Sequence, residues 1–157
     1  MNTDLSKLDL PAGDFSAVQI AIVVSEYHAD ITGQLSEGCR ATLLQAGVRA
    51  DNIRLFTAPG AYELPITALY ADNATCSAVV CLGCVIKGDT DHDVYINHAV
   101  ADGLMKLSLE RNKPFVFGLL TTNNLQQALD RAGGRHGNKG VECALAALKM
   151  IAIKQSL

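Results

Sequence analysis

Ser77–His92 reads SAVVCLGCVIKGDTDH, ten mostly apolar residues followed by six that are mostly polar. The apolar part is too short to cross a bilayer. It is rich in Val and bounded by turn-forming residues, so it reads as a strand covered on both faces. Such a strand belongs in the middle of a parallel sheet flanked by helices. The polar tail then falls just beyond its carboxyl end, where open α/β sheets bind their ligands.

The flanking sequence repeats this alternation. AVQIAIVVS (Ala17–Ser25) is a first β-rich apolar run, and DITGQLSEGCRATLLQAG follows with apolar residues at Ile31, Leu35, Leu43 and Leu44 and a stop at Gly47. That spacing predicts an amphipathic helix. NIRLFTA reads as a second strand, and a helix is expected from near Gly60, carrying Leu64, Ile66 and Leu69. Beyond the quoted stretch come a helix over DHDVYINHAVADGLMKLSLER, a fourth strand in KPFVFGLLTT, a short helix in NNLQQALDRAG stopping at Gly133, and an Ala- and Leu-rich last helix in GNKGVECALAALKMIAIKQ. The expectation is a single three-layer α/β domain: a four-stranded parallel sheet flanked by helices, joined by right-handed crossovers. Residues 1–17 are expected to form a flexible N-terminal arm, able to pack on a neighbouring subunit, and residues 18–157 the domain.

Composition narrows the class. At 157 residues and 49% hydrophobic, the chain can bury one real core, and no apolar run is long enough for a membrane span. The N-terminus carries acids early and lacks a signal-peptide pattern. The net charge of −3, with scattered Lys and Arg, argues against a nucleic-acid surface. Among the five cysteines, Cys81 and Cys84 fall on opposite faces of one strand and so neither bridge nor share a metal. No second pair has zinc spacing, so buried free thiols in a reducing cytoplasm are the plain reading, without a metal site. RAGGRHGNKG (Arg131–Gly140) is the one basic concentration, about the size needed for a single phosphate.

Four loops, SEYHAD, TAPGAYE, KGDTDH and TTNN, should share the carboxyl rim of the sheet. In KGDTDH, Gly88 and the amides of a starting helix suit an anion, while Asp89 or Thr90 can equally be a helix cap. His92 in the first helical turn can pass protons near neutral pH, or be a solvated residue. Glu63 can cap a helix or accept hydrogen bonds from a polyol. Tyr27 can stack on a planar ring or shield the core. No Gly-x-Gly-x-x-Gly, Walker-type Gly-Lys-Thr or Gly-x-Ser-x-Gly motif occurs, which disfavours dinucleotide oxidoreductases, P-loop enzymes and serine hydrolases.

Taken in order, the first strand ending at an aromatic, then PGAYELP, LGCVIKGDTDH, PFVFGLLTT and DRAGGRHGNKG, the sequence resembles the lumazine synthase family from about Ile20 to Met150. The resemblance implies a flavodoxin-like fold. It also implies a transferase of riboflavin biosynthesis that condenses 5-amino-6-(D-ribitylamino)uracil with 3,4-dihydroxy-2-butanone 4-phosphate, giving 6,7-dimethyl-8-ribityllumazine, phosphate and water, without cofactor or metal. By the same resemblance Tyr27 stacks on the pyrimidine, and Ala61, Tyr62 and Glu63 hold the ribityl chain, with Glu63 as hydroxyl acceptor. The backbone of Val85 and Ile86 reads the pyrimidine edge. Lys87, Gly88, Asp89 and Thr90 form the phosphate-side loop, and His92 transfers protons. Arg131 binds phosphate with Lys139 in the same basic segment, and Phe117 completes the site from an adjacent subunit. Partners are therefore the two small substrates and further copies of the chain, as a pentamer or as twelve pentamers in an icosahedral shell.

Some positions depart from the commonest pattern: Tyr27 stands where Phe or Trp is frequent, His28 where Asn is, and Lys87 where Arg is. DVYI follows His92, where an aromatic and then Asp are common. Two competing readings keep the fold. A flavin or lumazine carrier would keep Tyr27 and Glu63 but have no use for Thr90, His92 and Arg131 together. An FMN-binding or signalling domain would need a phosphate loop after the first strand, for which SEYHAD is poorly suited, or an acidic phosphoacceptor cluster, which is missing.

Overall fold

All of β1 (Ile20–Ser25) is buried, and β3 (Ala78–Ile86) is buried except for its last two residues. In a computed structural model that describes residues 9–157, these two strands form the centre of the sheet; the start of the expected N-terminal arm, residues 1–8, lies outside the described residues. The order is β2-β1-β3-β4, with β2 at Ile53–Ala58 and β4 at Phe115–Thr122, and all three pairings are parallel. This is the flavodoxin-like α/β architecture read from the sequence.

Alternation along the strands divides the core into two layers. Ile20, Ile22 and Val24 of β1, with Val80, Leu82 and Cys84 of β3, pack under α1 (Ala29–Gln45) and α5 (Lys139–Gln155). Ala21, Val23, Val79 and Cys81 pack under α2 (Leu64–Ala71) and α3 (His92–Arg111). Cys81 and Cys84 thus face opposite layers, and all five thiols are free and buried. The core reaches back to Phe15, which is 2% exposed and accepts a backbone hydrogen bond from Val18 at 3.1 Å.

At the amino ends of the strands, Lys113 is a polar clamp. Its Nζ donates to Asp72 Oδ1 at 2.8 Å and to the carbonyls of Asn73 and Cys76 at 3.1 and 2.8 Å. Among the described residues, no helix is long and apolar enough to cross a membrane.

Two segments differ from expectation. The helix expected from near Gly60 starts as a 3-10 turn at Ala61–Glu63 and becomes α-helical only at Leu64. Pro65 sits in the first turn of α2, where its missing N–H costs nothing. The helix α4 (Leu125–Arg131) ends short of Gly133, and RAGGRHGNKG folds as a small antiparallel ribbon, β5 (Ala132–Gly134) against β6 (Gly137–Asn138). Gly133 and Gly137, at φ of 113° and 77°, supply the positive-φ positions this tight reversal needs.

Candidate active site

The strand order reverses between β1 and β3, and the crevice beyond their carboxyl ends is the predicted ligand position. Register makes that crevice wider than a simple gap. Pairing of β1 with β3 stops at Val24 and Leu82, whereas pairing of β3 with β4 continues to Ile86 and Thr122. The edge of Gly83–Ile86 that faces β1 therefore has no strand partner and presents backbone polar groups to a cavity.

That cavity holds about 400 Å³, a size typical of small-molecule sites. It is lined by Tyr27 and His28 after β1, Gly60–Glu63 after β2, Cys84–Ile86 of β3, and His92 and Ile96 of α3. Of the residues singled out in the sequence, Tyr27, Ala61, Tyr62, Glu63, Val85, Ile86 and His92 come together here. Tyr27 stays 69% exposed, so its ring is available as a wall for a planar ligand. Glu63 precedes α2 but makes no capping hydrogen bond. Its Oε2 lies only 2.9 Å from where a Cβ on Gly60 would sit, and the Tyr27 ring is 3.6 Å from the same point. A Cβ at position 60 would make the Glu63 carboxylate shift, while its contact with the Tyr27 ring would be an ordinary one.

Thr90 acts as a weak cap on α3, its Oγ1 accepting from the His92 backbone N–H at 3.4 Å. Asp91, at the N-cap position itself, makes no side-chain cap. Lys87, Gly88, Asp89 and Thr90 are exposed on the loop between β3 and α3 and do not line the cavity. Lys87 is tied through its backbone N–H to the Thr122 carbonyl at 2.8 Å.

Arg131 and Phe117 do not line the cavity either. Phe117 lies on the edge strand β4 and is 37% exposed. Arg131 ends α4, and its guanidinium grips Glu142 at 2.8 and 3.0 Å and the His136 carbonyl at 2.7 Å. Lys139 Nζ reaches the same Glu142 carboxylate at 3.1 Å. The basic segment thus holds two cations over one shared acid, which sequence reading passed over because Glu142 looks like an ordinary first-turn helix residue. Sequence reading also passed over His28 and Ile96 as lining residues; Ile96 stands four positions after His92, one helical turn on.

Cys84 is the one thiol against the cavity. Burial pushes it up to about 11, so it stays protonated and unreactive at neutral pH.

Fold and cavity together define a flavodoxin-like α/β enzyme whose site combines an aromatic wall, a free carboxylate, an open strand edge and an imidazole. A family model described as 6,7-dimethyl-8-ribityllumazine synthase matches residues 17–155. Curated relatives with that name come from Bacteroides fragilis (45% identical, covering 89% of this chain and 99% of the relative), Phocaeicola vulgatus (43%, 92% and 90%) and Cytophaga hutchinsonii (46%, 88% and 88%). The chain belongs to the 6,7-dimethyl-8-ribityllumazine synthase family.

Proposed function

We propose that the chain is a transferase of riboflavin biosynthesis that condenses 5-amino-6-(D-ribitylamino)uracil with 3,4-dihydroxy-2-butanone 4-phosphate, releasing phosphate and water with 6,7-dimethyl-8-ribityllumazine. The observation that carries this reading is the cavity at the β1–β3 crevice, where Tyr27, Glu63, the open edge of β3 and His92 converge. The pyrimidine stacks on Tyr27 and pairs along Val85 and Ile86. Its ribityl chain runs past Ala61 and Tyr62, with Glu63 accepting from a hydroxyl. The substrate amine attacks the ketone to give an imine, phosphate leaves by elimination, and the second nitrogen closes the ring.

His92 moves protons during these steps, while Lys87, Gly88, Asp89 and Thr90 border the phosphate. Most of the acceleration comes from holding two molecules in reacting geometry. The route uses no cofactor or metal.

Arg131, Lys139 and Phe117 complete the site from a neighbouring copy. Two features favour this. These residues are absent from the wall of their own chain's cavity. Exposed apolar side chains also lie on both sides of the sheet: Tyr62, Ile66, Tyr95 and Leu109 around α2 and α3, the side to which Phe117 of β4 belongs by alternation, and Leu125, Met150 and Ile153 around α4 and α5. Two different faces suit a closed head-to-tail ring, such as a pentamer, that can build a larger shell. Buried free thiols suit a reducing compartment such as the cytoplasm.

The test is an absorbance assay with both substrates, following lumazine and released phosphate, run beside Arg131→Ala. Stoichiometric products that fall sharply in the variant support the reading. Tight lumazine binding without turnover would favour a carrier instead. Analytical ultracentrifugation reads the assembly, and a monomer at micromolar concentration would overturn the shared site.

A further inference from the structure

Asn138 makes more hydrogen bonds than its place in the chain requires. It ends β6 and is the N-cap residue of α5, where its Oδ1 accepts from the backbone N–H groups of Gly140 and Val141 at 2.8 and 3.3 Å. An acceptor alone does that work, and serine, threonine or aspartate would serve as well. The other half of the amide is turned away from α5, and Nδ2 donates to the Gln34 carbonyl of α1 at 3.0 Å. With N–H groups on one side and a carbonyl on the other, the partners fix which way the amide points. Helix α1 makes room for it. A Cβ on Gly38 would lie 2.7 Å from Nδ2 and 2.8 Å from Oδ1, so Asn138 fills the space that a glycine leaves in the middle of a helix. Glycine weakens a helix interior, which makes its presence there a matter of fit.

What this amide holds still is the basic segment. The backbone of Asn138 pairs with Ala132, the residue after Arg131. Lys139 follows it directly, and Glu142, which both cations grip, stands in the first turn of the helix it caps. We propose that Asn138 is a positioning residue for the phosphate end of the reaction, tethering the Arg131–Glu142–Lys139 cluster to α1 so that both cations reach the neighbouring copy's cavity already in place. Both ends of its amide are engaged within its own chain and it does not line the cavity, so it acts through the cations. Without the tether, a segment with four glycines would carry the cations with it as it moved, and each long side chain would have to be ordered again when phosphate arrives. This inference rests on the proposed reaction and its shared site.

Asn138→Ser keeps a cap for α5, stays neutral and is too short to reach Gln34. Gly38→Ala breaks the same tether from the other side: its Cβ displaces the amide, while α1 gains helix propensity and every charge stays in place. Each variant is assayed as the full-length protein, by steady-state kinetics with both substrates and by inhibition with inorganic phosphate. In both, the KM for the butanone phosphate and the inhibition constant for inorganic phosphate should rise together by about three- to tenfold, the order expected for re-ordering one or two long side chains. The KM for the ribitylaminouracil and the affinity for lumazine should stay within about twofold. A merely structural defect would instead lower kcat by reducing the active fraction and leave the phosphate constants where they were. That pattern, or phosphate constants within about twofold of the parent's in either variant that melts cooperatively, overturns the inference while the proposed reaction stands. If Asn138→Ser does not fold, Gly38→Ala decides alone. A parent protein that makes no lumazine would overturn the reaction and this inference with it.

Discussion

Replacing Gly140 with alanine gives opposite predictions depending on whether only the helix or the whole packing is considered. In an open helix, Gly→Ala stabilises by about 1 kcal/mol. At position 140, however, the added Cβ would lie 1.8 Å from the Leu35 carbonyl oxygen, 2.6 Å from its carbon and 3.0 Å from Asn138 Oδ1. An ordinary contact needs about 3.5 Å, so α5 would have to retreat from α1 by roughly 1.5 Å. Leu35, Cys39 and Leu43 would then lose close packing against Ala144, Leu148 and Ile151. The Asn138 cap would also be strained; its Oδ1 accepts from Gly140 N–H at 2.8 Å and its Nδ2 donates to the Gln34 carbonyl at 3.0 Å. Overpacking costs about 1–3 kcal/mol and loss of a cap about 1, against the helix gain of about 1, so the net is a loss of about 1–3 kcal/mol. At about 2–4 °C per kcal/mol for a chain of this length, the thermal midpoint should fall by roughly 6 °C. The assay is a calorimetric or circular dichroism melt at fixed protein concentration. Gly33→Ala is the control: it lies in α1, and a Cβ there would meet nothing within 4 Å, so it should hold or raise the midpoint. A Gly140→Ala protein that melts at or above the parent would refute the close approach of α1 and α5.

His92→Ala should slow single-turnover lumazine formation by about ten- to a hundredfold with lumazine binding intact, because proton transfer is one contribution among several. Arg131→Ala should cost more, since phosphate binding and leaving-group stabilisation are lost together; the reverse ranking would sink the proximity account. Among the described residues, Lys113→Met leaves the mostly buried Asp72 with Arg111, at 4.0 Å, as its one remaining cation. Stability should drop by about 2–4 kcal/mol in urea unfolding, with KM and kcat unchanged because the clamp lies at the amino ends of the strands, and any KM change would contradict that separation. Burial pushes the Cys143 thiol up to about 11 from an ordinary 9.0, although Lys139 and Arg131 pull it down in part. The folded state then keeps a proton that the unfolded chain releases, so this contribution is whole below pH 9 and is lost as pH rises from 9 towards 11. Cys143→Ala should flatten that alkaline decline in urea midpoint, and an identical decline in both proteins would disprove the assignment.

Most of the fold could be read from hydrophobic patterning, because the central strands are buried on both faces and interrupted by few polar residues. The register between strands could not. That β3 outruns β1 by Gly83–Ile86, opening the crevice, depends on where β1 turns away at Tyr27 and His28. The ribbon of β5 and β6 was hidden for a related reason: a segment with four glycines has little side-chain pattern, and its pairing is a backbone matter. In the site, residue types at the rim pointed to Tyr27, Glu63 and His92, which do line one cavity. They did not reveal that Glu142 joins Arg131 to Lys139, because an acid in the first turn of a helix is common without any such partner.

The shared grip on Glu142 bears on how phosphate would be received. Two cations already paired with one carboxylate carry a net single positive charge, so an arriving dianion must draw them away from Glu142 or bind beside it. Either way the cations stay ordered before substrate comes, and less side-chain entropy is lost on binding than for two free long side chains. With phosphate at these cations, the same acid would limit how tightly it is held, which would favour its release after elimination. An enzyme that depends on proximity has to bind its phosphate substrate firmly enough to orient it and still let inorganic phosphate go, and an internal carboxylate competing for the same cations serves both needs.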